Sequence, residues 1–244
     1  VQDLSRHTAI ITGASSGIGA QVSRTFAAGG ARLVLAARRA DRLETLAHDL
    51  EASGGRIIIQ STDVTNEDDV TALFAVAEAF SPVTLLIANA GKVQVCPTAE
   101  MSLEQWRDVI DVNLTGAFLC GREALRVMRP RGFGRIINIG SLSAQMPRPD
   151  TISYVASKFG LEGITRSLAL DGRPYGITAS IIHPGPTISE LTGREEISVA
   201  PSSDRLMDAE HVAEMIALMA AVPDTINLLS ATILPIATPY LGRG

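Results

Sequence analysis

Tyr154 and Lys158 stand four residues apart in the stretch SYVASKFGLEG, Ser153 to Gly163. On a helix of about 3.6 residues per turn, positions i and i+4 share one face. A phenol and an ammonium on one face can form a proton-transfer pair. A tyrosine with its ordinary pKa of about 10 is a poor base at neutral pH, and lowering it by about three pH units takes roughly 4 kcal/mol of preference for the phenolate. One ammonium about 4 Å away supplies roughly that much at an effective dielectric of about 20. The spacing therefore fits a phenol acidified by its lysine. The competing reading is an amphipathic surface pair, with the phenol half buried and the ammonium in water.

A second stretch, TGASSGIG (Thr12 to Gly19), sets Gly13, Gly17 and Gly19 between an apolar run and a helix-length segment. Glycines remove Cβ atoms where a backbone must turn sharply and approach a ligand. The helix that opens near Ile18 directs free N–H groups and a positive dipole end at the same place. That combination suits a pyrophosphate; the alternative is a tight strand–helix turn with no ligand. No Gly-Lys-Ser/Thr follows, so a P-loop is excluded.

Stepping outward from these residues, short apolar runs alternate with helix-length segments. Strands are expected at 8–12, 31–37, 56–61, 84–90, 134–140, 177–183 and 230–236. Helices are expected at 18–28, 41–53, 66–80 with an Asn66 cap, 103–128 as one long helix, around Tyr154 and Lys158, and near 209–219. Continuous apolar strands separated by helices indicate βαβ units. The expected fold is α/β, a Rossmann-type doubly wound parallel sheet of about seven strands with helices on both faces, in one domain over 1–244. The stretch from about 186 to 205 is long for a connection and reads as a substrate loop or lid.

Composition agrees. Of 244 residues, 46% are hydrophobic and only 4% aromatic, so the core is aliphatic, as parallel strands covered on both faces require. The net charge is -5 and no basic run exceeds Arg38-Arg39, which argues against nucleic acid. Cys96 and Cys120 form no C-x-x-C, and His7, His48, His183 and His211 show no metal-ligand spacing. No metal is expected. No apolar run is long enough to span a bilayer and no signal peptide opens the sequence as it stands, so the expectation is a cytoplasmic protein without a membrane partner.

The glycine spacing is G-x-x-x-G-x-G. Together with NAG (Asn89, Ala90, Gly91), with Asn113, Ser141, Tyr154 and Lys158 in order, and with Pro184-Gly185 after the sixth strand, the chain resembles the short-chain dehydrogenase/reductase family in its compact form. The resemblance runs nearly the full length. It implies a nicotinamide-dependent interconversion of an alcohol and a ketone, with Asn113, Ser141, Tyr154 and Lys158 as the catalytic set. Tyr154 would carry the proton, and Ser141 would stabilise the substrate oxygen. Asn113, an unfavoured residue inside a helix, would hold a water linking Lys158 to solvent. Asp63, with Val64 beside it, matches the adenine contact. Ser189 matches the position that holds the carboxamide, with Thr187 as a rival. The sequence departs from the family at Ala88, usually Asn, and at Thr84, usually Asp.

The cofactor is read from the end of the second strand, where NAD-binding units carry an acidic residue for the ribose 2′-OH. Here the sequence is Ala37-Arg38-Arg39. An arginine fork grips a 2′-phosphate that a carboxylate would repel. NADP(H) is expected, with Arg38 as the main contact and Arg39 or Ser15 as helpers. The resemblance also implies a dimer or tetramer through the helices near 103–128 and 154–170. A sensor that binds NADP without chemistry and a methyltransferase on a similar sheet are the alternatives. The substrate stays open between a small 3-hydroxy acid, held by Arg148 or Arg194, and a neutral carbonyl compound in a pocket lined by Met146 or Leu191.

Overall fold

The computed structural model describes residues 2–188 and 206–238. Among them, seven strands form: β1 (Thr8–Thr12), β2 (Arg32–Ala37), β3 (Arg56–Ser61), β4 (Leu85–Ala88), β5 (Gly134–Ile139), β6 (Ile177–Pro184) and β7 (Ser230–Ile233). They make one all-parallel sheet in the order β3-β2-β1-β4-β5-β6-β7. The order reverses between β1 and β4, and the crevice beyond the C-terminal ends of those strands is where such sheets place ligands.

Seven α-helices cover the sheet among the described residues: α1 (Gly17–Ala28), α2 (Ala40–Ala52), α3 (Glu67–Phe80), α4 (Leu103–Ile110), α5 (Gly116–Met128), α6 (Ile152–Gly172) and α7 (Ala209–Ala221). Successive strand residues point to opposite faces. Ile11, Leu33, Leu35 and Ile87 accordingly pack with Val22 and Phe26 of α1, Leu43 of α2 and Ile216 of α7. Ile10, Val34, Ala36 and Leu86 pack with Phe74 of α3, Leu119 of α5 and Leu168 of α6. Both faces are buried, which is why the strands read as unbroken apolar runs rather than alternating ones.

The Asn66 cap is present: its side-chain oxygen accepts from the N–H groups of Asp68 (2.9 Å) and Asp69 (3.2 Å). Glu67, Asp68 and Asp69 load the first turn of α3 with negative charge, which complements the helix dipole. A capping box between Ser102 and Gln105 starts α4.

Other bounds shift by a residue or two, and three differences from expectation have a local physical reason. Strand β4 stops at Ala88 because the next two N–H groups, of Asn89 and Ala90, turn to the Thr12 hydroxyl at 3.0 and 3.1 Å. Strand β7 stops at Ile233, two residues before Pro235, which has no N–H to give a ladder. The single helix expected over 103–128 is interrupted by a five-residue π-helical turn, Asp111–Thr115. Such turns are frequent at functional sites, and this one carries Asn113. No helix among the described residues is long and apolar enough to cross a membrane.

Candidate active site

The glycine turn leaves β1 at Thr12 and enters α1 at Gly17. Gly13 (φ 64°) and Gly17 (φ 53°) take the left-handed conformation that glycine adopts without strain. Gly19 lies against the Gly13 carbonyl and the Asn89 carboxamide, where any Cβ would overlap them. These glycines therefore serve the protein's own packing as well as the approach of a ligand. Asn89, expected to contact a dinucleotide, donates from Nδ2 to the carbonyls of Thr12 (2.9 Å) and Gly13 (3.2 Å). With Ala90 it fastens the end of β4 to the turn.

The two arginines after β2 part company. Arg39 reaches back over the turn: its Nε and Nη2 donate to the Ser15 hydroxyl (3.2 and 3.0 Å), and Nη2 donates to Ser16 (2.8 Å). Arg38 is exposed and its charge acts on Asp63. Burial alone would raise the Asp63 carboxyl, but the N–H and hydroxyl of Thr65 (3.0 and 2.8 Å) and the Arg38 guanidinium hold it below the usual carboxylate range. Asp63 thus already spends one oxygen on Thr65. Val64 is buried beneath Gly116, where it leaves no room for a Cβ.

The four residues expected to do chemistry come together past the C-terminal end of β5. Ser141 is extended (φ −170°), and its hydroxyl accepts from the Ser143 N–H at 3.0 Å. The Ser141 side chain acts on the Tyr154 phenol and pulls its pKa down. Tyr154 and Lys158 project from one face of α6, and the Lys158 nitrogen lies 5.6 Å from the centre of the Tyr154 ring. That nitrogen donates to the Ile139 carbonyl at 2.7 Å. Asn113 accepts from the Lys92 N–H (2.7 Å) and donates to the Lys92 carbonyl (2.8 Å) and the Ser157 hydroxyl (3.0 Å). A Cβ on Gly91 would stand 3.6 Å from Asn113 Oδ1 and 3.9 Å from Lys158 Nζ, which places this glycine beside the pair. A cavity of about 10 Å³, lined in part by Asn113, Lys158 and Ile139, lies between them. That is about the smallest space that admits a water.

The electrostatics correct one expectation. Burial pushes the Tyr154 phenol up from its ordinary value, against the Ser141 side chain and the Arg148 charge, which pull it down. The lysine is itself shifted: burial lowers Lys158 to about 8. Both groups sit out of water, and the ammonium is directed at a backbone carbonyl rather than at the phenol oxygen. The protein's own groups thus keep the phenol protonated. Cys120, also buried, is pushed up to about 12, which leaves it inert as a nucleophile.

At the far rim, Pro184 closes β6, and the Gly185 N–H donates to the Ile233 carbonyl at 2.7 Å. Thr187 spends its hydroxyl on the Gly185 carbonyl at 2.9 Å. Ser189, Leu191 and Arg194 lie outside the described residues, as does most of the expected lid. Sequence reasoning missed two residues here, Glu162 and His183, which meet at 2.9 Å beside Ser141. The available signal was the spacing of Glu162, one helical turn beyond Lys158, and the place of His183 just before Pro184-Gly185.

The family model described as short chain dehydrogenase matches residues 7–198. The chain is a short-chain dehydrogenase/reductase. It is 36% identical over 240 residues to the cis-4-hydroxycyclohexanecarboxylate dehydrogenase of Sinomonas cyclohexanicum, a match covering 95% of each chain. A short-chain type dehydrogenase/reductase from Mycobacterium marinum superposes with a TM-score of 0.89 at 28% identity, over 95% of both chains. An alcohol dehydrogenase from the archaeon Thermococcus sibiricus, complexed with 5-hydroxy-NADP, superposes with a TM-score of 0.87 at 25% identity, over 96% of this chain and 98% of that one. Short-chain dehydrogenases/reductases are oxidoreductases that use nicotinamide cofactors. The donor set here fits such a group: a helix N-terminus at Gly17, left-handed glycines before it, and the guanidinium of Arg39 over Ser15 and Ser16.

Proposed function

We propose that this short-chain dehydrogenase/reductase is an NADP(H)-dependent oxidoreductase that interconverts a secondary alcohol and a ketone. The observation that carries the reading is the placement of Tyr154 and Lys158 on one face of α6, with the ammonium 5.6 Å from the phenol ring and Ser141 acting on that phenol from the end of β5. A bound nicotinamide supplies the hydride donor or acceptor. The chain handles the proton. Tyr154, kept protonated by burial, gives its phenolic proton to the substrate oxygen in reduction; in oxidation the phenol first releases its proton by way of Lys158 to solvent and then takes the proton of the alcohol. The Ser141 hydroxyl donates to the same oxygen and stabilises its developing negative charge. Lys158, at about 8, remains largely protonated at neutral pH and can resupply the phenol. Asn113 shapes the small cavity beside Lys158, through which a water would connect the ammonium to solvent.

For the cofactor, the N–H groups near Ile18 and the turn from Gly13 to Gly19 would hold the pyrophosphate. Arg38 and Arg39, with Ser15, would hold the 2′-phosphate, since position 37 offers an alanine where a carboxylate would reject it. Asp63 and Val64 would border the adenine, and Asn89, Ala90 and Gly91 the ribose side. Pro184, Gly185 and Ser189 would border the nicotinamide. We further propose a small hydroxy acid as substrate, because the Arg148 charge reaches the Tyr154 phenol and the Sinomonas relative is named for a hydroxy acid. A second copy of the chain would pair over α5 and α6, which expose Phe118, Phe159 and Leu170; gel filtration with light scattering tests that pairing.

The test of the catalytic reading is a panel of alcohols and ketones followed at the reduced-nicotinamide absorbance, with wild type and Tyr154→Phe. The substitution keeps the ring and removes only the hydroxyl. Turnover should fall by about 100-fold or more, with NADPH affinity within about threefold. A variant that keeps more than about a tenth of wild-type kcat contradicts the role of Tyr154.

A further inference from the structure

The ladder between β5 and β6 ends where the Gly140 N–H donates to the Ile182 carbonyl at 2.7 Å. From there a side chain takes over. The ring of His183, fully buried, places Nδ1 3.4 Å from the Ser141 nitrogen and 3.0 Å from the Ser141 carbonyl oxygen. Its Nε2 lies 2.9 Å from Oε2 of Glu162. The other Glu162 oxygen accepts from Nε and Nη2 of Arg166 at 3.0 and 2.8 Å. Glycine at 140 makes the seat for the ring, since a Cβ there would stand 2.7 Å from His183 Nδ1.

A buried imidazole must satisfy both nitrogens. A carboxylate only accepts, so Nε2 carries a proton toward Glu162; Nδ1 faces both the N–H and the carbonyl of Ser141, accepting from the first when it is bare and donating to the second when it is protonated. The ring is thereby fixed in rotation, and its Nδ1 edge is given to the Ser141 backbone. The neighbours of His183 in β6, Ile181 and Ile182, are ordinary core residues, and an apolar residue at 183 would serve the sheet equally well. It would leave the Ser141 backbone without this partner.

We infer that Glu162 and His183 act as a positioning pair that clamps the Ser141 backbone and so holds the Ser141 hydroxyl in place for the reaction. The clamp stands on geometry alone, and its consequence for turnover rests on the oxidoreductase reading. Tyr154, Lys158 and Glu162 then form a ladder at four-residue spacing along α6, the first two facing the reaction and the third holding the serine opposite them.

The experiment compares Glu162→Leu and Glu162→Gln with wild type by two readouts. The first, independent of activity, is amide hydrogen exchange of the peptide covering Ile139 to Met146. Exchange should rise about tenfold in Glu162→Leu and stay within about twofold of wild type in Glu162→Gln, which still accepts the Nε2 proton. The second is steady-state kinetics. Glu162→Leu should lose about tenfold in kcat with the NADPH KM within about twofold, and Glu162→Gln should recover at least about half of that loss. In a Ser141→Ala background, Glu162→Leu should add less than about a twofold further loss, because the group it positions is already gone. Unchanged exchange, or a full kcat loss that persists beside Ser141→Ala, overturns the proposal. A wild-type protein that turns over no carbonyl compound would instead overturn the oxidoreductase reading, and exchange alone would then decide the clamp. Should Glu162→Leu not fold, His183→Asn, too short to reach Glu162, carries the same readouts.

Discussion

Asn113 pairs with both backbone polar groups of Lys92, accepting from its N–H at 2.7 Å and donating to its carbonyl at 2.8 Å. The π-helical turn supplies this geometry: it delivers the carboxamide to the segment that follows β4 and ties it to α6 through the Ser157 hydroxyl. The side chain of Lys92 is tethered in turn to Asp108 of α4. A polar residue in a helix interior is thus explained first by the backbone it satisfies.

Replacing Asn113 by leucine should therefore destabilise the fold as well as slow it as a catalyst. Two peptide groups would lose their partners, at about 1–3 kcal/mol each when buried. The Lys92 backbone is only partly buried, so we expect about 2 kcal/mol overall, read as a lowered urea midpoint with an unchanged slope. A midpoint equal to that of wild type would mean that the carboxamide contacts contribute nothing to folding.

Lys158 should show the opposite sign. Burial lowers its pKa from 10.5 to about 8 in the folded protein. The unfolded chain therefore binds the proton more tightly, and burying the ammonium costs on the order of 3 kcal/mol below about pH 8. That cost fades as pH rises toward 10.5, where the lysine is neutral in both states. Lys158→Met should be more stable than wild type at pH 7, inactive, and no longer more stable at about pH 10.5. Unfolding midpoints measured at pH 7 and 10.5 check both the sign and the window; a gain that does not shrink with pH would assign it to packing instead.

Much of this was legible in the sequence because parallel strands and their helices obey simple periods. β1, β3 and the Asn66 cap fall where the residues indicate, and the four residues expected to do chemistry converge. What was not legible required knowing what lay opposite. The π-helical turn has no marker in the local sequence apart from Asn113 itself. Asn89 reads as a ligand contact until the Thr12 and Gly13 carbonyls are seen across from it. The shift of Tyr154 is invisible to spacing, because i, i+4 spacing sets which face a lysine shares but neither the depth of the pair nor the carbonyl that captures the ammonium. Glu162 and His183 are far apart in sequence, and only the packing of α6 on β6 joins them.

Cofactor choice tests the split between the two arginines. Arg38 was the expected contact, yet Arg39 lies over Ser15 and Ser16 at the glycine turn. If both grip the 2′-phosphate, Arg38→Ala and Arg39→Ala should each raise the KM for NADPH by about tenfold and that for NADH by less than about threefold. Adding Ala37→Asp to Arg38→Ala should favour NADH, since the new carboxylate accepts from the 2′-OH and repels a phosphate. A wild-type enzyme that prefers NADH in kcat/KM would remove both assignments, and a selective loss in one variant alone would name the arginine that matters.

Substrate class turns on Arg148. It is exposed in the loop between β5 and α6, and its charge is the smaller of the two influences that lower the Tyr154 phenol against burial. The loop that carries it is held in shape. The Thr151 hydroxyl donates to the Arg148 carbonyl at 2.9 Å, and the Cys96 N–H donates to the Asp150 carbonyl at 2.7 Å. Asp150 itself adopts φ 58°, a left-handed conformation uncommon outside glycine. A carboxylate entering this site needs a cation, because an unpaired buried charge is costly, and Arg148 can offer a bidentate fork. A small 3-oxo acid should therefore outperform its methyl ester or a size-matched ketone. Arg148→Ala should raise the KM for the acid by about tenfold or more and change the neutral analogue by less than about twofold. The same substitution should raise the pH at which the phenol ionises, because it removes one of the two influences that pull the pKa down. Equal losses for acid and neutral analogue would leave the neutral-carbonyl reading standing and return Arg148 to the role of a solvated loop residue.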